Sequence, residues 1–476
     1  MPRNLFFPKE VLGHMSNEPK TDGYHASKSN ASRGLVIALA VLIVAILAVL
    51  ILCLVLALNK TSSSKVLSKE ELSENVGTID VSDKANVVAA LRAWGFTDFD
   101  SRKFTSVERI FAENYYKDLP ENTVLAKDTA ETFLEKYYDT TDFTNRETYT
   151  DSLISSYVLA VGDRYAAYRT ASEYEIYDGD MEGTYVGIGV TVEYSYADGT
   201  MTVTVVNPGG PAEAAGITPG DMIYKVDGEL ISELGYTGTI HKIRGEEGSE
   251  VTVTVLREEK ELSFTMIRRA FVEETVTYEL DENKIAYLRV TQFKANTGEQ
   301  FIAAMNELTE AGVRGIVFDM RGNPGGYLTA VLKALNVLAP KGATIASYGG
   351  YKAPDISTSD SQLTVPAVVL CNGYTASAGE LFTAALRDYA KLEEHPLDVT
   401  VIGTTTYKKG VMQTSYSFSD GSALTLTISY YTPPSGINYD GVGITPDIVV
   451  ENTDDGVDRQ LECAYSTLSQ KLGITE

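Results

Sequence analysis

Gly315-Ile-Val-Phe-Asp319-Met-Arg-Gly-Asn-Pro-Gly325-Gly326 decides the fold of this chain, together with Ala367-Val-Val-Leu-Cys371-Asn-Gly-Tyr-Thr375-Ala-Ser377-Ala-Gly-Glu380. Each is a short apolar run that breaks into a turn of small residues and then opens a helical pattern. Runs of this length without polar alternation read as buried strands. Upstream, Ile285-Ala-Tyr-Leu-Arg-Val290 supplies another strand, followed by a helical stretch around residues 299–308, and a further helix follows Gly326. Buried strands alternating with helices predict an α/β core.

The two turns carry the chemistry, because α/β enzymes place their sites where strands exit into helices. Gly325-Gly326 leaves backbone N–H groups uncovered, as an oxyanion requires. Ser377 falls near a helix N-terminus, where the Ala378 amide and the helix dipole favour negative charge. The bland reading of Ser377 is a plain N-cap, and from the hexapeptide alone it stays open. A nucleophilic serine also needs a base. Of the four histidines, His14 and His25 precede a long apolar segment, and only His241 and His395 follow it. Lys409, in Gly403-Thr-Thr-Thr-Tyr-Lys408-Lys409-Gly410-Val-Met-Gln413, is therefore a serious candidate.

The 476 residues allow two to four domains. A net charge of −25, from 40 basic and 65 acidic side chains, argues against nucleic acid as a partner. Cys53, Cys371 and Cys463 lie far apart, forming neither a disulfide framework nor a metal-binding spacing. Gly34–Leu58 is uncharged and apolar. As a helix it would run about 37 Å, enough for a hydrocarbon core of about 30 Å. No small-x-small cleavage site follows it, so an uncleaved transmembrane helix is expected rather than a signal peptide. Residues 1–33 read as a short polar tail and 59–82 as a linker. The expected arrangement is single-pass in the cell membrane, with the folded body extracytoplasmic.

Residues 83–180 read as a helical domain with no chemistry of its own. From Gly183 the texture turns to strand alternation, as in Met201-Thr-Val-Thr-Val-Val206 and Val251-Thr-Val-Thr-Val-Leu256. Between these lies Pro208-Gly-Gly-Pro-Ala-Glu-Ala-Ala-Gly-Ile-Thr-Pro-Gly-Asp221, leading to Val226-Asp-Gly228. This run resembles a PDZ domain of the bacterial kind, spanning 183–270. The resemblance makes Gly187-Ile188-Gly189 the carboxylate-binding loop. Glycines there let successive N–H groups point at one anion while the adjacent strand edge pairs with an extended peptide.

Residues from about 90 to 470 resemble the carboxyl-terminal processing peptidases, Ser/Lys endopeptidases with an embedded PDZ domain. Asp163-Arg-Tyr165, Gly187-Ile-Gly189, the PDZ run, Asp319–Gly326, Ala376-Ser377-Ala378 and Lys409-Gly410 fall in the family's order. Tyr430-Tyr-Thr-Pro433 and Gly443-Ile-Thr-Pro-Asp447 follow in the same order. The resemblance implies a multidomain α/β and α+β chain with a peptidase core over 271–455 and a C-terminal helix over 456–476. It implies Ser377 as nucleophile, Lys409 rather than Lys408 as general base, and Gln413 as the residue orienting it. Ala378 and the Gly325-Gly326 turn become oxyanion donors, and Arg244 resembles an arginine that senses bound peptide. No metal or cofactor is implied, and the partners are proteins or peptides with apolar C-termini. By analogy, helices before residue 180 and after 455 are candidates for a homodimer contact.

Lysine titrates near 10.4 in water, so the mechanism requires burial to hold Lys409 neutral. The chain departs from the family pattern at Thr375 and Gly379, where serines are usual. It departs again at Thr404 and Lys408, where an acid and a glycine are usual. These last two motivate an alternative, a catalytically silent peptide-binding scaffold. A third reading, a Ser-His-Asp hydrolase, uses His395 with Asp388 or Asp398. Its histidine lies in an acidic stretch over 391–398 that reads as an inserted loop.

Overall fold

The computed structural model describes residues 66–350, 352–393, 396–453 and 455–474. The polar tail, the expected span at 34–58, the first part of the linker and His395 lie outside the described residues. Among the described residues, no helix is long and apolar enough to cross a membrane.

At the centre is a six-stranded sheet. Its order is Val276–Leu280, Ile285–Val290, Gly315–Asp319, Ala367–Cys371, Val399–Gly403, Ile448–Val449. The first pair is antiparallel and the others are parallel. Gly315–Asp319 and Ala367–Cys371 are buried at every position, because alternate side chains meet different layers. Ile316, Phe318, Val369 and Cys371 join the core containing Phe301, Val331 and Phe382 of the helices Thr297–Glu310, Leu328–Asn336 and Ala378–Tyr389. Val317, Val368 and Leu370 pack instead with Ala464 and Leu468 of the helix Arg459–Leu472. Burial on both faces is why these strands read as unbroken apolar runs. The two strands are neighbours, with Asp319 opposite Leu370, so their turns leave the sheet side by side.

The helical layer comprises Lys69–Thr78, Val87–Trp94, Ser101–Asn114, Asn122–Lys136 and Arg146–Val161. It begins earlier than predicted, inside the stretch read as linker. Ser68 and Glu71 cap the first helix reciprocally, and Ser-x-x-Glu is the sequence signal for such a cap. The core of this layer is not self-contained either. Leu424, Leu426 and Ile428 complete it, beside Leu91, Phe104 and Tyr157. Those three belong to the strand Ala423–Tyr430, which pairs with Val411–Ser417 on one side and Ala167–Arg169 on the other. The hairpin assigned by sequence to the core over 271–455 is thus shared with the helical domain.

Val190–Ser195, Thr200–Val206, Met222–Val226, Glu250–Arg257 and Lys260–Ile267 form the separate sheet of the inserted module, around Met201, Ile223 and Val253. Thr184–Gly187 and Arg269–Val272 pair where the chain enters and leaves it. The Gly216–Asp221 turn is held by Arg257, which donates to both Asp221 oxygens at 2.6 and 2.7 Å and to Gly216 O at 2.7 Å.

Candidate active site

Ser377 stands at the N-cap of Ala378–Tyr389 with φ 52° and ψ −115°. A non-glycine residue there carries strain of about 1–3 kcal/mol, tolerable only where its surroundings over-determine the backbone. Ser377 N–H donates to Glu380 Oε2 at 3.0 Å, Ala376 N–H to Asn323 O at 2.9 Å, and Leu381 N–H to Ser377 O at 2.9 Å. Ser377 and Glu380 form a capping box, but Ser377 takes part in it from a positive-φ backbone, whereas an ordinary N-cap residue sits in the extended region.

The glycine turn abuts this elbow. Gly325 has φ 97°, and a Cβ there would fall 2.8 Å from Ala376 O and Ser377 Cβ and 2.9 Å from Ala378 N. Only glycine fits. Its N–H donates to Asn323 Oδ1 at 2.8 Å, so Gly325 is not the oxyanion donor the sequence reading assigned. The amides of Gly326 and Ala378 are not committed in this way, and both residues line a cleft of about 500 Å³.

Ser377, Lys409 and Gln413 line that same cleft. Glu380, fully buried, ties the serine turn to the lysine loop. Its Oε2 accepts from Lys409 N–H at 2.8 Å as well as from Ser377. Its Oε1 accepts from Lys408 N–H at 2.8 Å and from Thr406 Oγ1 at 2.5 Å. The Lys409 ammonium position lies 4.6 Å from the Tyr165 ring centroid, and Lys409 makes no salt bridge among the described residues. Burial lowers its pKa below the ordinary 10.5; Asp163, Glu380 and Asp440 oppose this, and Arg164 reinforces it. Lys408 is exposed, with φ 83°, a conformation in which glycine is the comfortable residue.

Gln413 Nε2 donates to Thr427 Oγ1 at 3.2 Å and Val411 O at 3.4 Å. Thr427 in turn donates its hydroxyl and its N–H to the two oxygens of buried Asp163, at 3.1 and 2.9 Å. The Asp163-Arg-Tyr165 segment therefore reaches the site twice, through Thr427 and through the Tyr165 ring over the lysine. Thr375, fully buried, accepts from Asn372 N–H at 3.0 Å and donates to Met320 O at 2.8 Å, stapling the two strand exits. Sequence reasoning gave no role to Glu380, Asn323, Thr375 or Thr427. The available signals were the hydroxyl kept at 375, where serine is usual, and the Ser377-x-x-Glu380 spacing of a capping box.

Gly187, Ile188 and Gly189 line a second groove, of about 630 Å³, beside the free edge strand Val190–Ser195. Gly189 has φ 80°, and a Cβ there would lie 2.7 Å from the Phe271 ring. Arg244 also lines this groove and stands over the Tyr185 ring. It donates to Ile176 O at 3.3 Å, on the helix Ala171–Met181 whose Tyr177 and Met181 line the serine's cleft. His241 pairs with Glu175 at 2.9 Å, and Asp388 accepts from Ser435 N–H at 3.0 Å. Among the described residues, no histidine lines the cleft.

Residues 284–450 match the model of peptidase family S41, and residues 202–257 match that of a PDZ domain. The chain is 30% identical over 322 residues to the carboxy-terminal processing protease CtpA of Bacillus subtilis (strain 168), covering 67% of this chain and 66% of that protein. It is 32% identical over 312 residues to a probable CtpA-like serine protease of Staphylococcus aureus (strain MRSA252), covering 64% and 61%. It thus spans just under two thirds of the length of these curated relatives. A solved structure, a photosystem II D1 C-terminal processing protease, is 24% identical, with a TM-score of 0.44 over 77% of this chain and 96% of that one.

Proposed function

The chain belongs to the carboxyl-terminal processing peptidases of family S41, and from that premise we propose a membrane-anchored serine endopeptidase with a Ser377–Lys409 dyad. The observation that carries the dyad is a serine in a strained backbone conformation sharing a cleft with a half-buried lysine that makes no salt bridge among the described residues. Neutral Lys409 takes the Ser377 proton as Oγ attacks the substrate carbonyl. The oxyanion falls to the N–H groups of Ala378 and Gly326, which are worth most in a site shielded from water. Lys409 then protonates the leaving amine, and water hydrolyses the acyl-enzyme. Gln413, held by Thr427, orients the lysine.

The groove at Gly187–Gly189 takes the C-terminal carboxylate of the substrate, and its Ile188, Ile240 and Phe271 favour an apolar last residue. Arg244 reports occupancy to the cleft through the helix Ala171–Met181. Gly34–Leu58 anchors the chain, with the body outside the cytoplasm; its uncharged length supports this reading. The test is cleavage of an unfolded protein with an apolar C-terminus by the purified full chain, compared with Ser377→Ala and Lys409→Ala. Both substitutions should abolish turnover. Activity that survives Lys409→Ala refutes the dyad, and an inert parent chain returns the scaffold reading.

A further inference from the structure

Both peptide groups flanking Lys409 are paired on both sides, and half of the pairing comes from one short segment. Glu380 takes the N–H groups of Lys408 and Lys409. Everything else is supplied from residues 431 and 438–441. Gly441 N–H donates to Lys408 O at 3.0 Å, and Tyr431 Oη donates to Lys409 O at 3.0 Å. Asp440 Oδ1 accepts from Gly410 N–H at 3.0 Å, and Asn438 Nδ2 donates to Gly410 O at 2.8 Å and to Tyr431 O at 2.7 Å. Between them, Tyr439 Oη reaches Ser377 O at 3.5 Å.

The fit is close enough to dictate sequence. A Cβ at residue 410 would lie 2.7 Å from Asp440 N and 2.8 Å from Asn438 Nδ2, so glycine must follow the lysine. Asn438 Oδ1 accepts from Asp440 N–H at 2.8 Å, which makes the two residues one unit. Tyr439, held between these two residues, reaches the carbonyl of Ser377 while they hold the peptide groups around Lys409, so the segment fixes one relative to the other. We propose that Asn438 and Asp440 are positioning residues that set Lys409 against Ser377. They act through Gly410 and touch no substrate. This rests on Lys409 being the general base.

Two variants separate the roles. Asp440→Asn keeps an acceptor for Gly410 N–H and removes one of the charges facing the lysine. The other charges facing it are Asp163 and Arg164 from the turn before residue 165, and Glu380 from the helix Ala378–Tyr389. Asn438→Ala removes both donated bonds and no charge. The probe is an amine-reactive acylating reagent applied to the full chain across pH, with Lys409 modification read by mass spectrometry, beside the pH profiles of kcat and KM.

Asp440→Asn should move the Lys409 labelling midpoint, and the acid limb of kcat/KM, to lower pH, with the high-pH plateau kept. Asn438→Ala should lower kcat about 10- to 100-fold, the scale of a misplaced catalytic group, with KM and the midpoint nearly unchanged. An unmoved midpoint in Asp440→Asn, or an unchanged kcat in Asn438→Ala, overturns the proposal. The isosteric Asp440→Asn keeps it testable if Asn438→Ala does not fold. The labelling midpoint is read without turnover. A parent whose activity ignores Lys409→Ala therefore refutes the dyad, whereas a Lys409-dependent parent with insensitive variants refutes only the positioning role.

Discussion

Glu380→Gln is the sharpest test of how the site is held. The carboxylate accepts four hydrogen bonds, two per oxygen, in full burial. An amide must turn one NH₂ toward two donors. Facing Ser377 and Lys409, it would strand two backbone N–H groups. Facing Thr406 and Lys408 it strands one, because the Thr406 hydroxyl can rotate to accept. The second orientation should win, leaving Lys408 N–H unpaired at about 1–3 kcal/mol. The remaining bonds also lose charge assistance, which roughly halves their strength. A local cost of about 2–4 kcal/mol follows, or a roughly 30- to 700-fold rise in opening of the loop, at tenfold per 1.4 kcal/mol.

Hydrogen exchange of peptides covering residues 404–410 reads that number directly, and exchange of the inserted module at 190–267 serves as the internal control. With Lys409 loosened, kcat should fall about 100-fold while KM changes little, since the peptide groove is untouched. Unchanged exchange at 404–410 together with parental kcat would refute Glu380 as the tie between the serine turn and the lysine loop.

Three further outcomes rest on the same contacts. Lys409 is depressed in the folded state, so between its folded pKa and 10.5 the unfolded chain binds the extra proton and stability rises with pH. Lys409→Met should therefore be more stable than the parent at neutral pH, with the gap in denaturant midpoint closing as pH rises through that window. Gly325→Ala drives a methyl into Ala376 O and Ala378 N, both backbone atoms; kcat should fall at least about 100-fold with folding retained by circular dichroism. Leu426→Ala, fully buried in the helical layer's core, should cost about 2–5 kcal/mol in urea and speed exchange in the helix Ser101–Asn114.

The α/β core was legible because its evidence is local. A strand buried on both faces shows it in five consecutive residues, as at 315–319 and 367–371. The inserted module was legible for a related reason, since its turns demand glycine at positive φ. Two features were not. The first helix lay under a Ser/Lys/Glu-rich texture, where only the Ser68-x-x-Glu71 spacing marked it. The hairpin 411–430 presents Leu424, Leu426 and Ile428 to helices more than 260 residues upstream, a pairing that no periodicity encodes. Among the site residues, the glycines announced themselves by conformation. Glu380 showed only its local Ser377-x-x-Glu380 spacing, and Asn323, Asn438 and Asp440 showed nothing, because their decisive bonds run to main-chain groups far away in sequence.

That mode of action also explains how the loop at 404–408 can depart from its family's pattern. The contacts that place Lys409 run to peptide N–H and C=O groups, which every residue but proline carries. Glu380 grips 408 and 409 by their N–H groups, and the strap at 438–441 grips 408 by its carbonyl and 410 by its N–H and carbonyl. Side chains at 404 and 408 are then free to drift, provided the backbone can still take φ 83° at 408. Glycine at 410 is not free, because it is the surface the strap closes on. Restoring the family residues with Thr404→Glu and Lys408→Gly together should leave kcat within about threefold, whereas Gly410→Ala alone should lower it about 100-fold. The opposite ranking would mean that loop side chains, not main-chain clamps, place the lysine.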